Sequence, residues 1–147
     1  MTTKFNEDIK NLLKSKKIEE ANKLLGYNIY IEGEVIHGLE NGRKINFPTI
    51  NQELDENIFP NGTYISRTII GDKIYKSMSY IGTHPTIDQL KKPILETHLI
   101  GFNESIYGQI VKVELLSFLA EETKFNSLKD LQDQLAKFII AAQNYNC

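Results

Sequence analysis

The chain has one cysteine, Cys147, and it is the last residue. No internal disulfide can form, which fits a reducing compartment. A thiol on a chain end that frays is also a poor catalytic nucleophile. No run of residues is long and apolar enough to span a bilayer. The segment from Met1 to Asp8 lacks the apolar stretch of a signal peptide. The expectation is a cytoplasmic protein with no membrane partner. A charge excess is missing too. The net charge is −2, so a broad electrostatic grip on nucleic acid is not expected.

Several motifs of common chemistry are also missing. Gly38-Leu39-Glu40-Asn41-Gly42-Arg43-Lys44 faintly resembles a phosphate loop, but its spacing is wrong for Walker A and no Ser or Thr follows the lysine. There is no dinucleotide fingerprint and no nucleophile-elbow serine. His37, His84 and His98 form no zinc spacing with a second ligand type. Each reads better as a surface or hydrogen-bonded histidine.

What is present is ordinary for a soluble globular protein: 147 residues, 41% hydrophobic and 24% charged. That length suits a single domain able to bury its own core, here expected to be a monomer. No repeat or low-complexity linker divides it. Phe5, Ile9, Leu12 and Leu13 recur at helical spacing, as do Ile18, Ala21, Leu24 and Leu25. Gly26 is placed to end the second helix. Residues 1–26 are therefore expected to be a helical lead-in to a domain spanning 27–147.

From Tyr27 the period changes. Tyr27, Ile29 and Ile31 alternate as on a strand. Gly38, Gly42 and Pro48 punctuate a long loop. A strand is predicted over Gly62–Ile70, then a two-residue turn at Gly71-Asp72 and a returning strand from Lys73 to Ile81. Further strands are predicted over Ile94–Ile100 and Gln109–Leu119. Leu128, Leu131, Leu135, Phe138, Ile139 and Ala142 form one apolar stripe on a closing helix. Ser127 is its N-cap, with Asp130 at the capping-box position. Short antiparallel strands with terminal helices predict a mostly β fold, a small barrel.

Three segments could carry chemistry. If residues 49–51 are extended, Thr49 and Asn51 point the same way. They offer two hard, neutral oxygens, able to hold Mg²⁺ only if a nucleotide's phosphates complete the shell. A proline turn leading into a strand explains the same residues. Glu96 lies in a predicted strand between Ile94 and His98, although glutamate is depleted in strands. It could be a general base or a solvated residue on an outward face. Phe118 to Phe125 join the last strand to the last helix and could equally be a charged surface loop with Phe125 docked at the helix start.

Together these segments resemble the flavokinase (riboflavin kinase) family, specifically the kinase half of bacterial bifunctional riboflavin kinase/FAD synthetases. The resemblance lies in Gly33-Glu34-Val35-Ile36-His37-Gly38, Gly42-Arg43 and Phe47-Pro48-Thr49-Ile50-Asn51. It continues through Asn61-Gly62-Thr63-Tyr64, Ile81 to Thr86, Glu96 to Gly108 and Glu122-Thr123-Lys124-Phe125. It implies a six-stranded Greek-key barrel with an N-terminal helical hairpin and a C-terminal helix. It implies transfer of the ATP γ-phosphoryl group to the 5′-hydroxyl of riboflavin, giving FMN, with riboflavin and ATP as the small-molecule partners. By the same resemblance Thr49 and Asn51 meet Mg²⁺ and the phosphates, and Glu96 is the catalytic base. Gly38, Gly42 and Lys44 border the nucleotide, and Glu122 and Phe125 the flavin.

The match has departures. Ala120 stands where the family has an arginine, which takes a cation from the flavin side. Tyr80 replaces an Asn or Ser, His84 an Arg, and Gly101 an acid. Phe138 replaces a polar residue and is expected to add core. A non-catalytic flavin- or nucleotide-binding regulator that keeps the barrel is the alternative, and Ala120 is its support.

Overall fold

A computed structural model describes residues 5–36, 49–54, 58–83, 93–102, 106–121 and 127–145. The chain opens with two short helices, α1 (Glu7–Lys14) and α2 (Ile18–Leu25). Each start and stop has a local cause. The Asn6 side chain accepts the Ile9 amide and caps α1. Gly26 ends α2 at φ 82°, a left-handed position where a side chain would be strained.

The buried face of α2 differs from the predicted repeat. Ile18, Ala21 and Asn22 are buried, while Leu24 is 62% exposed. Asn22 takes the inner position because its amide is fully used. It donates to the Leu115 carbonyl at 2.8 Å and accepts the Ile29 amide at 2.9 Å. A polar group can be buried when hydrogen-bonded in this way.

Six strands follow: β1 (Tyr30–Glu34), β2 (Ile50–Glu53), β3 (Gly62–Ile70), β4 (Lys73–Thr83), β5 (Pro93–Leu99) and β6 (Ile110–Glu121). The last helix is α3 (Leu128–Asn144), and Ser127 accepts the Asp130 amide at its start, as expected. The first strand starts later than the predicted Tyr27. The left-handed turn at Gly26 leaves Tyr27 exposed. The Ile29 amide bonds to Asn22, so the ladder begins only at Tyr30.

All strand pairs are antiparallel, in the order β1-β6-β3-β4-β5-β2. Strands β3, β4 and β5 form consecutive neighbours and β6 returns beside β3, which is the Greek-key arrangement. The sheet nearly closes on itself. Gln52 of β2 donates to the Gly33 carbonyl on β1 at 3.0 Å. The Ile36 amide bonds to the Asn51 carbonyl at 2.8 Å. Closure removes most of the exposed sheet edge.

The interior is apolar at Ile31, Val35, Leu54, Tyr64, Ile81, Leu95, Val111, Val113 and Leu115. Ile9, Leu13, Ile18 and Ala21 of the helical lead-in belong to the same core. A string of buried hydroxyls interrupts it. Thr68 meets Ser77 at 2.8 Å, Ser77 meets Ser66 at 2.7 Å, Ser66 meets Ser79 at 2.8 Å and Ser79 meets Thr97 at 2.8 Å. The three inner hydroxyls, Ser77, Ser66 and Ser79, each have two partners and can both give and accept, and Thr68 and Thr97 end the string. On the outer face, α3 packs Ala142 against Ile65 and Leu116. Phe138 is buried, as expected from its place in the stripe. Lys76 of β4 donates to the Gln143 carbonyl at 2.5 Å. It brings positive charge to the carboxyl end of α3, which has no basic residue in its own last turn.

Candidate functional site

The pairing of the strands builds one row across the outer face. Asn51 of β2 lies opposite Glu96 of β5. Glu96 lies opposite Tyr80 of β4. Tyr80 lies opposite Thr63 of β3, and Thr63 opposite Ala120 of β6. Paired residues in an antiparallel sheet put their side chains on the same face as close neighbours. Residues far apart in the chain therefore stand side by side.

The face is set by what lies beneath it. On β5 burial alternates, with Pro93, Leu95, Thr97 and Leu99 inside and Ile94, Glu96 and His98 half-buried outside. Thr97 is tied inward to Ser79, which fixes the parity of β5 against β4 and turns Glu96 outward. On β2 the same role falls to Gln52. It is 1% exposed, and its amide nitrogen donates to the Gly33 and Val111 carbonyls. With Gln52 pinned inside, Asn51 faces the row, and Thr49 directly precedes β2. Asn51 is buried although it is on the outer face.

Two glycines shape the row's surroundings. Gly62 has φ 147°, and a Cβ there would stand 2.5 Å from the Ala120 carbonyl oxygen. Only glycine lets β3 approach β6 at that point. At Gly82 a Cβ would stand 2.6 Å from the Tyr80 hydroxyl and 2.7 Å from a ring carbon. The Tyr80 ring therefore lies along β4, over Gly82. Below the row, Tyr64 packs edge-on against Phe118 with ring centroids 5.0 Å apart. Its hydroxyl donates to the Pro60 carbonyl at 2.5 Å. Burial pushes that hydroxyl well above the ordinary tyrosine pKa. Lys16 pairs with Glu121, the residue after Ala120, and lies over the Phe118 ring.

Of the residues singled out in the sequence, Thr49, Asn51 and Glu96 lie among the described residues. Asn51 and Glu96 are brought together by the β2–β5 register. Gly38, Gly42, Lys44, Glu122 and Phe125 lie outside the described residues, as does His84. The row also holds Thr63, which carried no sequence signal, and Tyr80, which stood out only as a departure from the family pattern. Among the described residues no group of three or more His, Cys, Asp or Glu side chains could hold a metal.

The riboflavin kinase (flavokinase) family model matches residues 25–146. The chain belongs to the riboflavin kinase family. Among curated relatives, the bifunctional riboflavin kinase/FMN adenylyltransferase of Bacillus subtilis is 35% identical over 133 residues, covering 88% of this chain and 42% of the relative. The chain thus spans less than half of that relative's length. A solved Streptococcus pneumoniae structure described as a macrolide-efflux protein superposes with a TM-score of 0.86 at 29% identity. The match covers 97% of this chain and 47% of that one. Riboflavin kinase from Trypanosoma brucei superposes with a TM-score of 0.56 at 21% identity, over 78% of this chain and 77% of that one. That likeness concerns the fold alone.

Proposed function

We propose that the chain is a riboflavin kinase, transferring the γ-phosphoryl group of ATP to the riboflavin 5′-hydroxyl. The observation that carries the reading is the pairing of Asn51 with Glu96, with Thr49 just before the same strand. A neutral oxygen pair beside a single carboxylate suits phosphoryl transfer, which asks mainly for positioning and charge neutralisation.

In the proposed reaction the Glu96 carboxylate accepts the proton of the 5′-hydroxyl as that oxygen bonds to the γ-phosphorus. The bond from phosphorus to the bridging oxygen breaks, leaving ADP and FMN. Thr49 and Asn51 orient the phosphates and are the residues that would hold Mg²⁺, which when bound neutralises charge on the phosphate oxygens. The donor set fits that role: hard oxygens, uncharged, with the remaining ligands supplied by the nucleotide. Gly38, Gly42 and Lys44 are assigned to the nucleotide, and Glu122 and Phe125 to the flavin, from the sequence pattern. No helix among the described residues is long and apolar enough to cross a membrane.

The test is FMN formation from riboflavin, ATP and Mg²⁺, followed by chromatography. Glu96→Gln keeps the shape and removes the base, so turnover should fall about 10²- to 10⁴-fold with riboflavin affinity nearly unchanged. Full activity in that variant would remove Glu96 from the mechanism. Wild-type protein that binds riboflavin but makes no FMN with any nucleotide would favour the non-catalytic regulator. Ala120 lies on the same row as Glu96, so Ala120→Arg asks whether a missing cation limits turnover.

A further inference from the structure

We propose that Tyr80 is a positioning residue for the phosphoryl acceptor, its hydroxyl contacting the polyol chain of riboflavin. The inference rests on the kinase reading and adds to it a residue and a substrate feature. Tyr80 is the cross-strand partner of Glu96, so the two side chains leave the same face as neighbours. The Tyr80 ring lies along β4, with its hydroxyl 2.6 Å from where a Gly82 Cβ would stand. Two residues along a strand is about 6.7 Å, so the hydroxyl sits about that far from the Glu96 rung.

The five-carbon ribityl chain of riboflavin spans a similar length between its terminal hydroxyl and the flavin ring. With the 5′-hydroxyl at Glu96, the chain can run along β4 in two directions. One is covered: Met78 and His98 share a rung with Ile65, and Ala142 of α3 packs on Ile65. In the other direction, among the described residues, β4 presents Gly82, which has no side chain, and the Tyr80 phenol lying over it. A polyol running that way passes a hydroxyl able both to donate and to accept. Gly82 is thus a positioning residue for the tyrosine, because any side chain there must push the ring aside.

The experiment compares two acceptors, riboflavin and a flavin whose N10 chain is 5-hydroxypentyl and so keeps only the terminal hydroxyl. KM and kcat are measured for both, KM for ATP is measured alongside, and flavin fluorescence titration gives Kd without turnover. Tyr80→Phe keeps the ring and removes one hydroxyl. It should raise KM and Kd for riboflavin about 3- to 10-fold, the worth of one neutral hydrogen bond. It should leave kcat, the KM for ATP and the affinity for the hydroxypentyl flavin within about twofold. Gly82→Ala should produce the same selective loss in a protein that still has the tyrosine. A purely structural role would instead weaken both flavins and ATP together. The inference is overturned if Tyr80→Phe leaves riboflavin affinity unchanged or weakens both flavins equally. Wild-type FMN formation with that result sinks the inference alone. Binding without turnover sinks the kinase reading, and the Kd ratio of the two flavins then decides the contact. Wild-type protein that binds neither flavin sinks both.

Discussion

Asn22→Ala should destabilise the fold far more than a change at one helical asparagine usually does. The side chain is 8% exposed and joins α2 to two strand-forming segments through the Leu115 carbonyl and the Ile29 amide. Removing it strands a buried donor and a buried acceptor. Each costs about 1–3 kcal/mol, the carbonyl toward the low end because its second lone pair has other outlets. Alanine recovers about 0.5 kcal/mol of helix propensity. The expected net loss is about 2–4 kcal/mol. In urea the midpoint should drop by about 1–2 M with the slope unchanged, because the surface exposed on unfolding is nearly the same. Asn22→Leu separates the causes, since it fills the space without an amide. It should be about as unstable as the alanine variant. A loss below about 0.5 kcal/mol in the alanine variant, or near-native stability in the leucine variant, would refute the argument that hydrogen bonding holds Asn22 inside.

Three further variants can be checked by unfolding and titration. Gly62→Ala must meet the Ala120 carbonyl oxygen and adopt a φ that side chains avoid, so a loss of about 3 kcal/mol or more is expected in urea. Gly82→Ala meets only the far end of the Tyr80 side chain and should cost much less. Tyr64 gives a pH dependence. Its folded pKa is raised by burial, so the folded protein holds a proton that the unfolded chain releases above the ordinary tyrosine value of about 10. That contribution is complete below pH 10 and is lost as pH rises further. Tyr64→Phe should remove this alkaline component and, at neutral pH, cost about 1 kcal/mol for the bond to Pro60. An unchanged alkaline unfolding curve would contradict the burial argument.

Much of the local structure was legible. Gly26, the Gly71-Asp72 turn and Ser127 mark boundaries through backbone chemistry that acts within a few residues. The strand over Gly62–Ile70 has the bounds expected of it and ends at the Gly71-Asp72 turn. The alternation of Tyr27, Ile29 and Ile31 puts the first strand too early because Gly26 turns the chain before the ladder begins at Tyr30. The apolar repeat puts Leu24 inside, but Asn22 takes the inner position through bonds to partners 7 and 93 residues away. The same limit hid the interior hydroxyls. Ser66, Ser77, Ser79, Thr68 and Thr97 look like outward residues until the barrel closes them on one another.

The sequence by itself determined the mostly β character, the helical ends, the family pattern, and Thr49, Asn51 and Glu96 as residues to watch. Each follows from local periodicity, turn chemistry or the order of short motifs. Only the tertiary structure decided that Asn51, Glu96, Tyr80, Thr63 and Ala120 form one row. Alternation within a strand specifies which face a residue takes but not which residue lies opposite. That is fixed by register, and register here depends on buried contacts between distant strands, Gln52 with Val111 and Thr97 with Ser79 among them.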